Sequence, residues 1–169
     1  QVFSNYTISE STMAPSYWND LYQGVFRANV LIPKLPNINM PENVQARFLA
    51  EAKALRALYY FDLVRLFGNI PLITNQIGID QYYSIKQSDP KVVYKQIETD
   101  LEEAIPNLPI TLEPETEAGR LSQGAAKALL GKVYLYQSKN AEAATILAEV
   151  NGAPGSTSPY GYTLLSNYS

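Results

Sequence analysis

Residues 44–72, VQARFLAEAKALRALYYFDLVRLFGNIPL, carry the longest unbroken helical pattern in the chain. Val44, Phe48, Ala52, Leu55, Tyr59 and Leu63 follow one another at steps of three or four. Leu49, Ala57, Tyr60, Val64 and Phe67 run beside them. The two lines make an apolar stripe wide enough to be covered on two sides. Ala50, Ala52, Ala54 and Ala57 keep the first half thin, so neighbouring helices can come close. Gly68-Asn69 supplies a stop and Pro71 forbids continuation. The pattern predicts a rod of about 24 residues, about 36 Å long, with the rest of the chain packed on it or hung from its ends.

Working outward, Trp18, Leu21, Tyr22, Val25, Phe26, Asn29 and Ile32 predict a helix over 16–32, closed by Pro33 and Pro36. Pro41 then opens the rod, since a first-turn proline costs little. On the other side, residues 69–88 read as a long irregular connection, with Leu72-Ile73-Thr74 as its one candidate for extended backbone. Loops of this length in a compact domain are uncommon and often functional. Asp89-Pro90 is a cap followed by a first-turn proline, and Val93, Tyr94, Ile97, Leu101, Ala104 and Ile105 predict a helix over 90–106. A polar loop leads to Ser122 as cap of a helix rich in small residues. Asn140 is the expected cap of a last helix over 141–150. The expectation is an all-α chain of antiparallel helical hairpins with long irregular loops, and one helical domain over 1–169.

The 169 residues suffice for one buried core. Thirteen Lys and Arg against 16 Asp and Glu leave a net charge of -3, which argues against nucleic acid or anionic lipid as the main partner. There is no histidine and no cysteine. Ser-His-Asp and Cys-His nucleophile systems, thiolate or imidazole zinc sites and disulfides are therefore excluded within this chain. A glycosidase-type carboxylate pair is the simplest catalyst left. However, Glu98, Asp100, Glu102 and Glu103 read as solvated helix faces, and Glu113, Glu115 and Glu117 as loop solubility. No enzyme, metal site or cofactor is expected. The chain starts at Gln1 without an initiator Met or an apolar leader, and the expectation is a mature piece or a fragment.

Internal repetition is visible in the second half. Leu130-Gly131-x-x-Tyr134 followed by Ala143-x-x-x-Leu147 falls on the tetratricopeptide pattern, with small residues at the crossing and Tyr134 and Leu147 filling the groove. Lys127 stands where the pattern has Trp. The 44–67 rod with 90–106 is a looser copy, interrupted by 69–88. Any antiparallel hairpin with alanine at its crossing would look similar.

Two blocks bring a resemblance. One is Glu51-Ala52-x-x-Leu55-Arg56-Ala57-x-Tyr59-Tyr60-Phe61-x-Leu63-Val64-x-Leu66-Phe67-Gly68-Asn69-Ile70-Pro71-Leu72. The other is Gly119-Arg120-x-Ser122-x-Gly124-Ala125-Ala126-x-Ala128-Leu129-Leu130-x-Lys132-Val133-Tyr134-Leu135. Weaker matches are Trp18-x-x-x-Tyr22, Arg27-Ala28-Asn29 and the closing Tyr162-x-Leu164-Leu165-x-Asn167-Tyr168. In order and spacing the chain resembles the SusD/RagB family of surface nutrient-binding lipoproteins. The resemblance implies tetratricopeptide-like helices scaffolding a larger, loop-rich protein on the outer-membrane surface. It also implies oligosaccharides gripped by aromatic stacking and a TonB-dependent, SusC-like transporter as partner. Against the family's pattern, a lipid-bearing Cys, a signal peptide and a counterpart of the C-terminal half are not expected within these 169 residues. The expectation is the N-terminal helical portion, with the lipid anchor and much of the ligand surface outside it.

Individual residues then divide. Arg56 lies among Ala52, Tyr59 and Tyr60 on an apolar face. It is either a buried structural cation paired with Asp100 or Glu103, or a ligand clamp. Trp18 has core spacing, with sugar stacking as the other reading. Asn29 interrupts the same face and is expected to bond backbone at a helix end or loop. Tyr82 and Tyr83 belong to no periodic pattern and stand beside Asp80, Gln81 and Ser84. Tyrosine faces with amide and carboxylate neighbours suit a pyranose, which stacks through its C–H face and hydrogen-bonds at its rim. In an extended loop the two rings would point opposite ways. The other reading is that they fold back on the helices. Asn5 and Tyr6 are further candidates. The rival function is a tetratricopeptide module gripping a peptide, or a family member with peptide cargo.

Overall fold

The structure, a computed structural model, describes residues 15–113, 115–153 and 155–163, without the side chains of Pro15, Ile79 and Tyr82. Asn5, Tyr6 and residues 164–168 of the closing block lie outside the described residues. Five helices carry the fold: α1 (Pro15–Leu31), α2 (Glu42–Phe67), α3 (Pro90–Ala104), α4 (Gln123–Tyr136) and α5 (Asn140–Asn151). They form antiparallel hairpins of tetratricopeptide type. α2 packs against both α1 and α3, α3 touches α4, and α4 pairs with α5.

The core follows the alanine-lined rod. Ala50, Ala54, Ala57, Tyr60, Phe61 and Leu63 of α2 are buried against Val25 of α1, against Val93, Ile97 and Leu101 of α3, and against Leu130 and Val133 of α4. A fully buried aromatic or aliphatic side chain of this kind contributes about 1.5–3 kcal/mol. The stripe is not covered all round: Leu55 is 37% exposed, and Phe26 of α1 is 59% exposed. Helical spacing marks a face as apolar, but only a neighbour decides whether it is covered.

Close approach depends on glycine at two crossings. A Cβ on Gly131 would lie 2.5 Å from Leu147 Cγ, so α4 and α5 meet at the small-residue position of the repeat. Gly24 of α1 lies under the ring of Tyr59 in the same manner. Tyr134 leans back across the seam, its hydroxyl donating to Glu102 of α3 at 3.1 Å. Lys127 reaches Glu149 of α5 at 2.6 Å and lies over the Tyr160 ring.

Helix ends differ in places from the sequence reading. α2 stops at Gly68, whose φ of 70° is costly for any residue with a Cβ, and the Gly68 N–H closes on the Val64 carbonyl at 3.0 Å. Asp89 and Ser122 cap α3 and α4 through their side chains, accepting from Lys91 N and Ala125 N. Asn140, expected as a cap, is the first residue of α5, and Lys139 precedes it without a side-chain cap bond. α3 ends at Ala104, and Ile105–Asn107 tightens into a 3-10 turn. Glu98 and Asp100, read as solvated, are buried to 4% and 1% exposure. Each has a cation to neutralise it, which sequence position alone does not show.

Among the described residues no helix is long and apolar enough to cross a membrane.

Candidate functional site

The connection between α2 and α3 is built, not irregular. β1 (Ile70–Pro71) pairs antiparallel with β2 (Gln87–Ser88), Ile70 opposite Ser88 and Pro71 opposite Gln87. The extended backbone therefore lies just ahead of the Leu72-Ile73-Thr74 stretch suggested by the sequence. Between the strands, Ile79–Ser84 forms a 3-10 turn.

Four side chains hold the near half of this segment. The Tyr22 hydroxyl donates to the Pro71 carbonyl at 2.7 Å. Asn29 Nδ2 donates to the Ile73 carbonyl at 2.6 Å. Tyr60 Oη donates to the same carbonyl at 2.6 Å and accepts from Ile73 N–H at 2.7 Å. Arg56 Nη1 donates to the Thr74 carbonyl at 2.9 Å. Burial pushes the Tyr60 hydroxyl up to about 12, and burial raises Tyr22 as well.

Arg56 is the hub. Its Nε and Nη2 form a two-point pair with Asp100, at 2.8 and 2.7 Å, and its Nη1 also donates to Asn29 Oδ1 at 2.8 Å. Gln96 Nε2 donates to Asp100 Oδ1 at 2.9 Å. One guanidinium thus ties α1, α2, α3 and the connecting segment together. Of the two acids suggested as its partner, Asp100 holds it, while Glu103 pairs with Lys53 on the surface. A planar cation with five donors meets all these acceptors at once, which a lysine could not. Four of its five N–H groups have protein acceptors and the side chain is buried, which favours the structural cation over the ligand clamp.

Trp18 and Tyr22 pack together with centroids 4.7 Å apart. Trp18 also stands edge-on to Phe67 at 5.0 Å. These rings form a wall at the end of α2 beneath the connecting segment, and Trp18 lies against the core.

The far half of the segment projects. The 3-10 turn is held by its own atoms: Gln81 N–H bonds the Gly78 carbonyl, Gly78 N–H donates to Gln81 Oε1 at 3.1 Å, and Ser84 Oγ donates to the Gln81 carbonyl. Asp80 and Gln81 are exposed, and Tyr83 is 99% exposed. A whole tyrosine ring in water has no packing role, and both faces are open to stack on a ligand. Because the turn is helical, the opposed-ring picture for an extended loop does not apply. Among the described residues the Gln81 amide N–H2 has no acceptor, while its oxygen is used locally. No group of acids among the described residues could hold a metal ion.

The pinning residues were only half visible beforehand. Asn29 bonds main chain of the connecting segment, as its place in the sequence leads one to expect, whereas Tyr22 and Tyr60 read in the sequence as plain stripe residues. The usable signal was a hydroxyl at each of two core positions, which must find a partner when buried.

Known proteins match this chain along most of its length. A family profile of SusD-like proteins, described as starch-binding and associating with the outer membrane, matches residues 2–135. A SusD-like protein from Formosa agariphila is 33% identical over 150 residues, which are 88% of this chain and 28% of that one. A second from the same organism is 28% identical over 152 residues, 89% of this chain and 28% of that one. Among solved structures, a laminarin-binding SusD-like protein is 58% identical with a TM-score of 0.91, covering 98% of this chain and 36% of that one. Surface glycan-binding protein A from Bacteroides uniformis is 26% identical with a TM-score of 0.77, covering 90% of this chain and 35% of that one. The chain therefore spans about a third of the length of these proteins. By sequence and by fold, the chain belongs to the SusD-like family.

Proposed function

We propose that this chain serves in noncatalytic capture of oligosaccharides or polysaccharides on the outer-membrane surface, as the N-terminal helical portion of a longer SusD-like protein. The observation that carries the reading is the Tyr83 ring, 99% exposed on a turn whose base is fastened to two helices. The ring supplies a stacking face, and Asp80 with the exposed Gln81 amide supplies rim hydrogen bonds. Tyr82 shares the turn and is a second candidate. The helical hairpin face then meets a TonB-dependent, SusC-like transporter, to which the captured sugar is delivered. The starch-binding description of the family and the laminarin-binding description of a 58%-identical neighbour support sugar as the cargo.

The test is retention in affinity gels cast with laminarin, starch and other glucans, run beside a pull-down with a peptide library. The proposal expects retardation by at least one glucan, reduced in Tyr83→Ala. Wild-type mobility in every glucan gel together with peptide capture would favour the rival tetratricopeptide reading. Turnover of any polysaccharide by the pure protein would overturn the noncatalytic assignment.

A further inference from the structure

A second feature lies away from the Tyr83 turn and shares no residue with it. Between the first turns of α3 and the end of α4 runs a groove of about 530 Å³, walled by Lys91, Tyr94, Lys95, Tyr136, Gln137 and Lys139. We infer that this groove is a binding site for an oligosaccharide bearing carboxylate or sulfate groups.

Charge is the first argument. Three lysines face the groove against one lining carboxylate, Glu98, so the local balance is 3 − 1 = +2, in a chain whose net charge is -3. Glu98 is buried, and its Oε1 accepts from Lys139 and, at 2.6 Å, from Gln137 Nε2. Lys95 lies 3.9 Å from Glu98 Oε2 with most of its side chain in water, and Lys91 has no carboxylate within ion-pair distance among the described residues. Elsewhere Arg47, Lys53, Arg56, Arg65, Arg120 and Lys127 are each matched with an acid. Here the cations exceed the acids.

The rings are the second argument. Tyr136 is 53% exposed. Phe61 fixes it from behind at 5.2 Å and fixes Tyr94 at 6.4 Å, both edge-on. The Arg65 guanidinium lies over Phe61 and Tyr136 at 4.7 and 5.4 Å. Tyr136 is thus a preorganised platform, and a ligand loses little side-chain entropy to it. The Tyr94 hydroxyl forms no hydrogen bond with the described residues, so it remains a donor for a ligand oxygen.

The choice of a sugar over an acidic peptide follows from the walls. One is the first turns of α3 and the other the end of α4 with the turn to α5, so no strand edge is available to pair a peptide. The walls offer tyrosine faces and ammonium groups, and the volume falls in the range that holds small ligands. The choice of a sugar carrier rests on the carbohydrate reading above, whereas the charge requirement does not.

The test is calorimetric titration of the full chain with oligogalacturonate of about four units, its methyl ester, a sulfated galactan oligosaccharide and polyglutamate. The inference expects at least one anionic sugar to bind about tenfold more tightly than the neutral ester. That binding should weaken between about 20 and 500 mM NaCl. Lys91→Gln/Lys95→Gln and Tyr136→Ala should each lose about tenfold, with melting of the lysine variant unchanged. Should Tyr136→Ala fold poorly, the lysine variant still decides, because both lysines are solvated. Tyr83→Ala should keep the tenfold preference for the acid over its ester, whatever it loses towards neutral glucan, so failure of the turn and failure of the groove are told apart. Equal affinity for ester and acid, parental affinity in the lysine variant, or tighter binding of polyglutamate than of any sugar would overturn the inference.

Discussion

Arg56 shows how far a single residue can be read. Its position among alanines and tyrosines predicts a buried cation with an acid across the seam, and Asp100 is one of the two acids that position allows. Its other acceptors are the Thr74 main-chain carbonyl and Asn29 Oδ1, whose own amide donates to the Ile73 carbonyl, and main-chain atoms leave no letter in a sequence. Arg56→Met strands Asp100 in the interior and is expected to lower stability by about 3–5 kcal/mol. For a chain of this length, that is a fall in melting temperature of about 10 °C or more, read by circular dichroism. Adding Asp100→Leu should recover only part, since Asn29, Gln96 and the Thr74 carbonyl stay without their partner. The buried phenols predict a pH effect of definite sign. Tyr60 titrates near 12 in the fold and near 10 when unfolded, so folding favours its protonated form. Its contribution is whole below about pH 10 and fades as pH rises through about 12. Denaturant unfolding followed from pH 8 to 12 should show stability level at first and then falling. Tyr60→Phe should lower the plateau by about 1–3 kcal/mol through the stranded Ile73 groups.

Helices were the most legible level, and their ends the least. Periodicity located all five helices to within two residues at most ends, because apolar spacing is imposed by packing itself. Caps were mixed. Asp89 and Ser122 work through their side chains, whereas Asn140 does not, because α5 begins one residue early, at Asn140, which leaves Lys139 in the cap position. The expectation is that Asp89→Ala costs about 1 kcal/mol in chemical denaturation while Asn140→Ala changes little. Gly131→Ala forces a methyl into Leu147 and should cost about 1–3 kcal/mol, with loosening of α5 seen by hydrogen exchange. The segment between α2 and α3 was hidden for a different reason. Two-residue strands are too short for alternation to show, and a 3-10 turn has no strong pattern. What looked like an irregular loop is a short ribbon with a projecting turn. Glu98 and Asp100 were misplaced because a charge on a helix reads as solvated until its partner on another element is known.

At the scale of the molecule, the parts divide their labour by rigidity. The α2 rod and its neighbours carry the buried Arg56 network, and that network fixes where the 69–88 segment leaves the bundle. The turn beyond it holds together by its own hydrogen bonds and presents Tyr83 to water. The family could be recognised from the rod because the helix, its glycine stop and Ile70-Pro71 occupy consecutive positions in the chain. The candidate ligand surface was less legible, since exposure of one ring is a property of the folded turn, and the matched proteins are about three times as long as this chain. The central claim is that the exposed ring grips sugar. Its most direct test is the dissociation constant of the full chain for a laminarin oligosaccharide, measured by calorimetry beside Tyr83→Ala, with both melting curves recorded. The account predicts unchanged melting and affinity weakened by about tenfold, the worth of one stacked ring. Equal affinity in parent and variant, with both folded, would contradict it.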